Sequence, residues 1–358
     1  MTENNVLHQS MTQEPASDGK PAQLITLINP NGMTVTLMDI GATWLSCLVP
    51  VGRELREVLL GVSTMAQFNQ QQAYLGATVG RYANRINQGK FSFNGESYQV
   101  ATNQFENCLH GGPNGFNRRR WKVETQDEQQ VAFSLTSEDG DQGFPGTLLV
   151  TVSYTLTNDN AVEIKYYVKT DKACPVNLTN HGYFNLQGDL CGENCLAHRL
   201  TIAADYFLPT DDKGIPKGEL RAVANTGFDF REGKNIDADF LQDEEQQLAS
   251  GYDHSFLLAR TCKDAENIAA RAISPDGLLA MEVLTTKPAM QLYTGNFLAG
   301  CPNREGGEYQ NYAGFALETQ YLPDSPNHPE WPQESCILMP ETEYDHSTVY
   351  RFSSAISF

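Results

Sequence analysis

The sequence predicts an all-β fold, a large antiparallel β-sandwich with few short helices. Three observations carry that expectation. Apolar and polar residues alternate at period two through Val131, Phe133 and Leu135, through Leu148, Val150, Val152, Tyr154 and Leu156, and through Val162, Ile164, Tyr166 and Val168. Such alternation buries one face of a strand and wets the other, as antiparallel sheets allow. Turn signals recur between the runs, at Asn29-Pro30-Asn31-Gly32, Asn94-Gly95, DGDQGFPG (139–146) and Asn158-Asp159-Asn160. Many short strands spaced in this way point to packed sheets. Helical periodicity, finally, is convincing only near IDADFLQDEEQQLAS, residues 236–250.

Taken in order, residues 1–20 are polar and patternless and are expected to form a mobile N-terminal tail. Two β-rich runs follow, joined by the Asn-Pro-Asn-Gly turn, so the chain begins as an antiparallel hairpin. A short helix is expected within residues 62–75. Phe91 and Phe93, the Asn94-Gly95 turn, then Tyr98 and Val100 make a strong two-residue hairpin signal. Beyond the long alternating strands, shorter ones return at 256–258, 279–284, 290–293 and 315–317. A length of 358 residues suggests roughly two domains, yet no linker, repeat or composition break divides the chain. The expectation is one large domain over residues 21–358.

Composition narrows the function. With 25 basic against 44 acidic residues the formal net charge is −19, which opposes a phosphate backbone or an anionic membrane. An uncharged substrate fits better than nucleic acid. The first twenty residues lack the basic and apolar regions of a signal peptide, and no apolar run approaches membrane-spanning length. A cytoplasmic protein is expected. Eight cysteines are too sparse for a disulfide framework in so long a chain and should be free thiols. Cys191, Cys195 and His198 offer two thiols and an imidazole, but no fourth zinc ligand accompanies them, so an ordinary loop is expected there. The chain contains no G-x-S-x-G, no phosphate-binding G-x-x-x-x-G-K-[ST] and no H-E-x-x-H, and it offers no cofactor motif.

Candidate chemistry gathers in a few stretches. His181 stands in TNHGYFNL among aromatic and amide side chains, where an imidazole can hold and release a proton near neutral pH. Glu318 ends the apolar run Phe315-Ala316-Leu317, and burial there would raise its pKa and strengthen it as a base. His110 precedes glycines that let backbone approach a ligand closely. Arg81, with Tyr82 and Asn84 in GRYANRI, offers a donor fork and an apolar ring face suited to a sugar, although a structural ion pair explains it equally well. Asp253 precedes His254 in GYDHSF, and Gln291 carries an amide within an apolar strand. The basic run Arg118–Arg120 reads as a solvated patch.

Together GRYANRI, LHGGPNGF, DGDQGFPG, NLTNHGYFNL, YDHSF, LYTGNFL and LETQYLPDSPNHPEW closely resemble the galactose mutarotases, or aldose 1-epimerases, in family order from about residue 24 to 350. The resemblance implies one large sandwich domain with the sugar in an open cleft. It implies His181 as general acid and Glu318 as general base, with His110, Arg81, Asn84 and Asp253 holding the hexose and Gln291 as a lesser contact. It implies no metal and no cofactor and a free hexose such as galactose or glucose as substrate; a monomer or weak homodimer is expected. Gly182 and Phe315 depart from the family pattern without removing a chemical group. Two other classes are weighed beside this. A glycoside hydrolase would need two carboxylates, here Glu318 and Asp253, and leaves His181 without a role. A non-catalytic carbohydrate-binding sandwich would need an aromatic platform more than an acid/base pair. A relative acting on phosphorylated hexoses would need cations near the cleft, which only Arg118–Arg120 could supply.

Overall fold

The alternating runs become strands whose apolar faces have to be covered, and the chain covers them with one another. The computed structural model describes residues 3–355, and among these only three short α-helices accompany the strands. A nine-stranded sheet takes the spatial order Lys122–Gln126, Gln130–Ser137, Leu148–Leu156, Ala161–Thr170, Tyr344–Ser354, Leu279–Thr285, Ala270–Ile273, Arg199–Ile202 and Lys234–Asn235. Its ladders are antiparallel, and the C-terminal strand fills the centre by pairing Val162 with Tyr350 on one side and Val283 with Tyr350 on the other. In Leu148–Leu156 the five predicted inward residues are buried while Leu149 is exposed.

A second sheet of six strands runs Tyr183–Phe184, Phe315–Gln320, Ala289–Tyr293, Asp253–Leu258, Ala204–Phe207 and Arg221–Ala222. A four-stranded meander, Leu24–Ile28 to Glu54–Glu57, covers the N-terminal side. Asn29–Gly32 makes its first turn, as the sequence predicts. The sheets meet through aromatic packing: the Trp44 ring lies 5.8 Å from Phe184 and 5.7 Å from Tyr350, both edge-on. Such pairs contribute about 0.5–1.5 kcal/mol each beyond their buried area. The Tyr350 hydroxyl donates to the Leu317 carbonyl, joining the central strands of the two large sheets. This is an antiparallel β-sandwich, and its main apolar cluster runs from Ile25 to Phe352.

Phe315–Gln320 does not alternate, because all six of its residues are buried. A strand covered on both faces has to bury whatever polar groups it carries, and Glu318 is one of them.

The helices differ most from expectation. The helix expected within 62–75 is Met65–Gln70, opened by a capping box between Thr64 and Gln67. The patch at 236–250 breaks into a 3₁₀ turn, Ile236–Asp239, and a short helix, Glu244–Ala249, capped by Asp243. Within residues 1–20, read as a tail, Glu3–Thr12 is helical. Met11 is buried there, the His8 imidazole hydrogen-bonds Thr26, and the Ser10 hydroxyl donates to the Ser63 carbonyl. A single buried methionine is too weak a pattern to announce a helix. Among the described residues no helix is long and apolar enough to cross a membrane.

Five histidines, at 110, 181, 198, 254 and 346, are buried, and burial lowers the pKa of each: to about 4 for His181 and His198, about 3 for His254 and about 2 for His346. Below about pH 6.5 the unfolded chain protonates these rings while the folded chain keeps them neutral, so their contribution falls with falling pH, by about 1.4 kcal/mol per pH unit for each ring. Urea unfolding should therefore show a clearly lower midpoint at pH 5.5 than at pH 7.5.

Candidate functional site

The two groups singled out for acid/base chemistry arrive from different directions. His181 follows the two-residue strand Thr179–Asn180, and its backbone is clamped by hydrogen bonds from its N–H to the Ala77 carbonyl and from the Gly76 N–H to its own carbonyl. Glu318 stands in the middle of its strand, in register with Gln291 on the next. They meet with His181 Nε2 3.4 Å from Glu318 Oε1. Both side chains are nearly inaccessible, yet both line one cavity of about 450 Å³. Glu318 Oε2 and His181 Nδ1 have no protein partner.

Burial dominates their titration. It lowers His181, and it raises Glu318 well above the carboxylate range, with Asp253 adding repulsion and Arg85 opposing it. Both shifts favour the uncharged pair, a neutral imidazole beside a protonated carboxyl. Transfer of the Glu318 proton to the imidazole 3.4 Å away would make the imidazolium–carboxylate form without changing the total charge.

The remaining cavity wall is polar and aromatic. Asp253, Asn84, Arg85, Gln104, His110, Tyr74, Tyr183 and Tyr293 line it, with Phe297 exposed on its rim. Arg85 Nε donates to Gln104 Oε1 at 2.7 Å, and its Nη2 lies 4.0 Å from Asp253 Oδ2. Gln291 does not line the cavity. It donates to Asp253 Oδ1 at 2.8 Å and so fixes that carboxylate from behind.

Arg81 departs from expectation. Its guanidinium is buried and donates to the Pro145, Ser137 and Glu138 carbonyls and to the Ser137 hydroxyl, with Phe144 5.6 Å away. It ties the DGDQGFPG loop to the sheet and takes no part in the cavity. The arginine that reaches the cavity is Arg85, four residues on in the same GRYANRI motif. The glycine after His110 also serves the protein itself: a Cβ on Gly111 would lie 2.1 Å from the Gly80 carbonyl oxygen. Arg119 pairs with Asp141, and Arg120 with Asp18 and Asp39; Arg118 alone reaches the rim, through Gln72.

Donor atoms of His110, His181 and Glu318 lie within 4.8 Å of one another, a spacing that invites a metal ion. The His110 tautomer argues against one. The Asn84 N–H donates to His110 Nδ1 at 3.0 Å, which places the ring proton on Nε2. A metal would need the lone pair at Nε2, where the ring instead presents a donor. His198, next to Cys195, is likewise spent: Nε2 accepts from the Leu186 N–H and Nδ1 meets the Cys195 carbonyl.

Comparison with known proteins settles the lineage. The family model for aldose 1-epimerase matches residues 23–351. The chain belongs to the aldose 1-epimerase family. It is therefore an enzyme, an isomerase. An aldose 1-epimerase of Escherichia coli K12 is 50% identical over 338 residues, covering 94% of this chain and 97% of that one. Human galactose mutarotase is 40% identical, covering 84% of each. The solved structure of an aldose epimerase homologue from C. elegans superposes with a TM-score of 0.85 at 31% identity, covering 93% of this chain and 99% of that one. These relatives leave the hydrolase and binding-module readings unfavoured.

Arg85→Ala should raise KM at least tenfold while leaving the folded state intact, since it removes a donor from the cavity wall. Arg81→Ala should instead lower the unfolding midpoint, because it orphans several buried carbonyls at about 1–3 kcal/mol each. Equilibrium denaturation beside kinetics separates the two. Dialysis against EDTA should leave the catalysed rate unchanged.

Proposed function

We propose that this enzyme interconverts the α and β anomers of free galactose, and of glucose, with Glu318 as base and His181 as acid. The single observation that carries the reading is their contact across 3.4 Å in a buried, sugar-sized cavity. The similarity to relatives such as human galactose mutarotase supports the substrate. A neutral sugar is favoured over a phosphorylated one because Asp253 and Glu318 face Arg85 in the cavity, while Arg119 and Arg120 are already paired.

Ring opening breaks the C1–O5 bond and makes C1=O1. Glu318 takes the proton from the O1 hydroxyl as His181, in its protonated form, gives one to O5. Rotation about C1–C2 then turns the aldehyde over. In reclosure O5 returns its proton to His181 and Glu318 returns one to O1, so the enzyme ends as it began. Neither step requires a metal or cofactor. Asn84, Arg85, His110 and Asp253 would hold the hydroxyls that do not react, His110 through its Nε2–H. Gln291 would act through Asp253.

We further read residues 21–358 as one working unit, supported by an apolar cluster drawn from both ends of the chain. Eight free cysteines support a reducing, cytoplasmic setting.

Polarimetry of freshly dissolved α-galactose at low buffer concentration, with the spontaneous rate subtracted, tests the reading. Glu318→Gln and His181→Asn should each lose about 10²–10⁴-fold in kcat with the fold preserved. Near-full activity in either would remove its assigned role.

A further inference from the structure

An imidazole that works as an acid is commonly oriented by a hydrogen bond to its far nitrogen. His181 has none, since Nδ1 is buried without a partner. Aromatic rings surround it instead. Tyr183 lies 4.8 Å away, tilted by 32°, and Tyr74 5.8 Å away, stacked at 20°. His110 and Tyr293 meet it edge-on at 5.3 and 6.5 Å. The charged groups nearby are Glu318, in contact, and Arg85 and Asp253 further along the cavity.

These two tyrosines are held in place with unusual care. Tyr74 adopts a left-handed backbone at φ 59°, which a residue with a bulky side chain keeps only where its surroundings over-determine it. Gln71 Oε1 accepts from the Ala73 and Leu75 N–H groups on either side of Tyr74. The Tyr183 hydroxyl donates to the Ala73 carbonyl at 2.9 Å, so one tyrosine secures the turn that presents the other. The same turn accepts the His181 N–H at Ala77 and donates from Gly76 to the His181 carbonyl. Ring, turn and imidazole thus form one connected assembly.

We propose that Tyr74 and Tyr183 are positioning residues for the acid: their rings fix the plane of the His181 imidazole and favour its protonated form, so that it can carry the proton bound for O5. This rests on the reading of His181 as general acid. The negative face of a tyrosine attracts a cation held over it, the more so where water is excluded. Burial pushes the same imidazole toward neutrality; on this proposal the ring faces act against that push.

The test follows the His181 imidazole through a pH titration by NMR in sugar-free enzyme, beside polarimetric kcat and KM on α-galactose. The variants are Tyr74→Leu, Tyr74→Phe, Tyr183→Leu and Tyr183→Phe. Each Leu variant is expected to titrate about one pH unit lower than the parent and to lose roughly tenfold in kcat, with KM changed less than about threefold. Tyr74→Phe should restore both, while Tyr183→Phe, which keeps the ring but loses the hydroxyl bond to Ala73, should fall between the parent and Tyr183→Leu. An unmoved titration in the Leu variants, or a loss in Tyr74→Leu confined to KM, would overturn the proposal. Should Tyr183→Leu fail to fold, Tyr74→Leu decides alone, since its ring stands in the cavity wall. A parent enzyme without mutarotation would sink the functional reading, and the titration would still judge the rings.

Discussion

The structure turns on one contact, an imidazole and a carboxyl pressed together where water is scarce. Burying either group alone as an ion costs several kcal/mol, and fixed hydrogen bonds to both would restrain their protons. The fold does neither. It brings Glu318 in on a strand covered on both faces and His181 in on a segment stitched to a neighbouring turn, and it leaves one buried polar atom of each without a protein partner. The stability for this comes from elsewhere, from the aromatic packing of Trp44, Phe184 and Tyr350 and from the central position of the last strand.

Around that contact, rigidity is graded by distance from the reacting atoms. Gln291 sets Asp253, and Asn84 sets the His110 tautomer, each through a single hydrogen bond. Arg81 acts one layer further out by knotting the Phe144–Pro145 loop to the sheet. A guanidinium with five donors is well suited to that task, because one side chain satisfies several carbonyls that approach from different directions.

Much of this was legible in the chain itself. Period-two runs located the long strands, because a half-buried strand has to write its burial into every second residue. Glu318 stood out for the opposite reason, as a lone carboxyl in an apolar run. GRYANRI was harder, since its two arginines are four apart in a stretch with no regular period, and nothing local says which one turns inward. Arg81 looked like the sugar ligand and Arg85 is the one on the cavity. Tyr74 carried no mark at all, because a left-handed residue that is neither glycine nor asparagine is dictated by its neighbours in space. The N-terminal helix was equally silent, with its burial concentrated in Met11.

That helix leans on Ser63 through Ser10, and Ser63 leads directly into the helix whose end, Gln71, pins the turn bearing Tyr74. The helix Glu3–Thr12 therefore buttresses the near wall of the cavity from outside. A fusion partner or affinity handle attached ahead of this helix would press on that brace, whereas the last strand, Tyr344–Ser354, lies in the sheet that contributes no residue to the cavity.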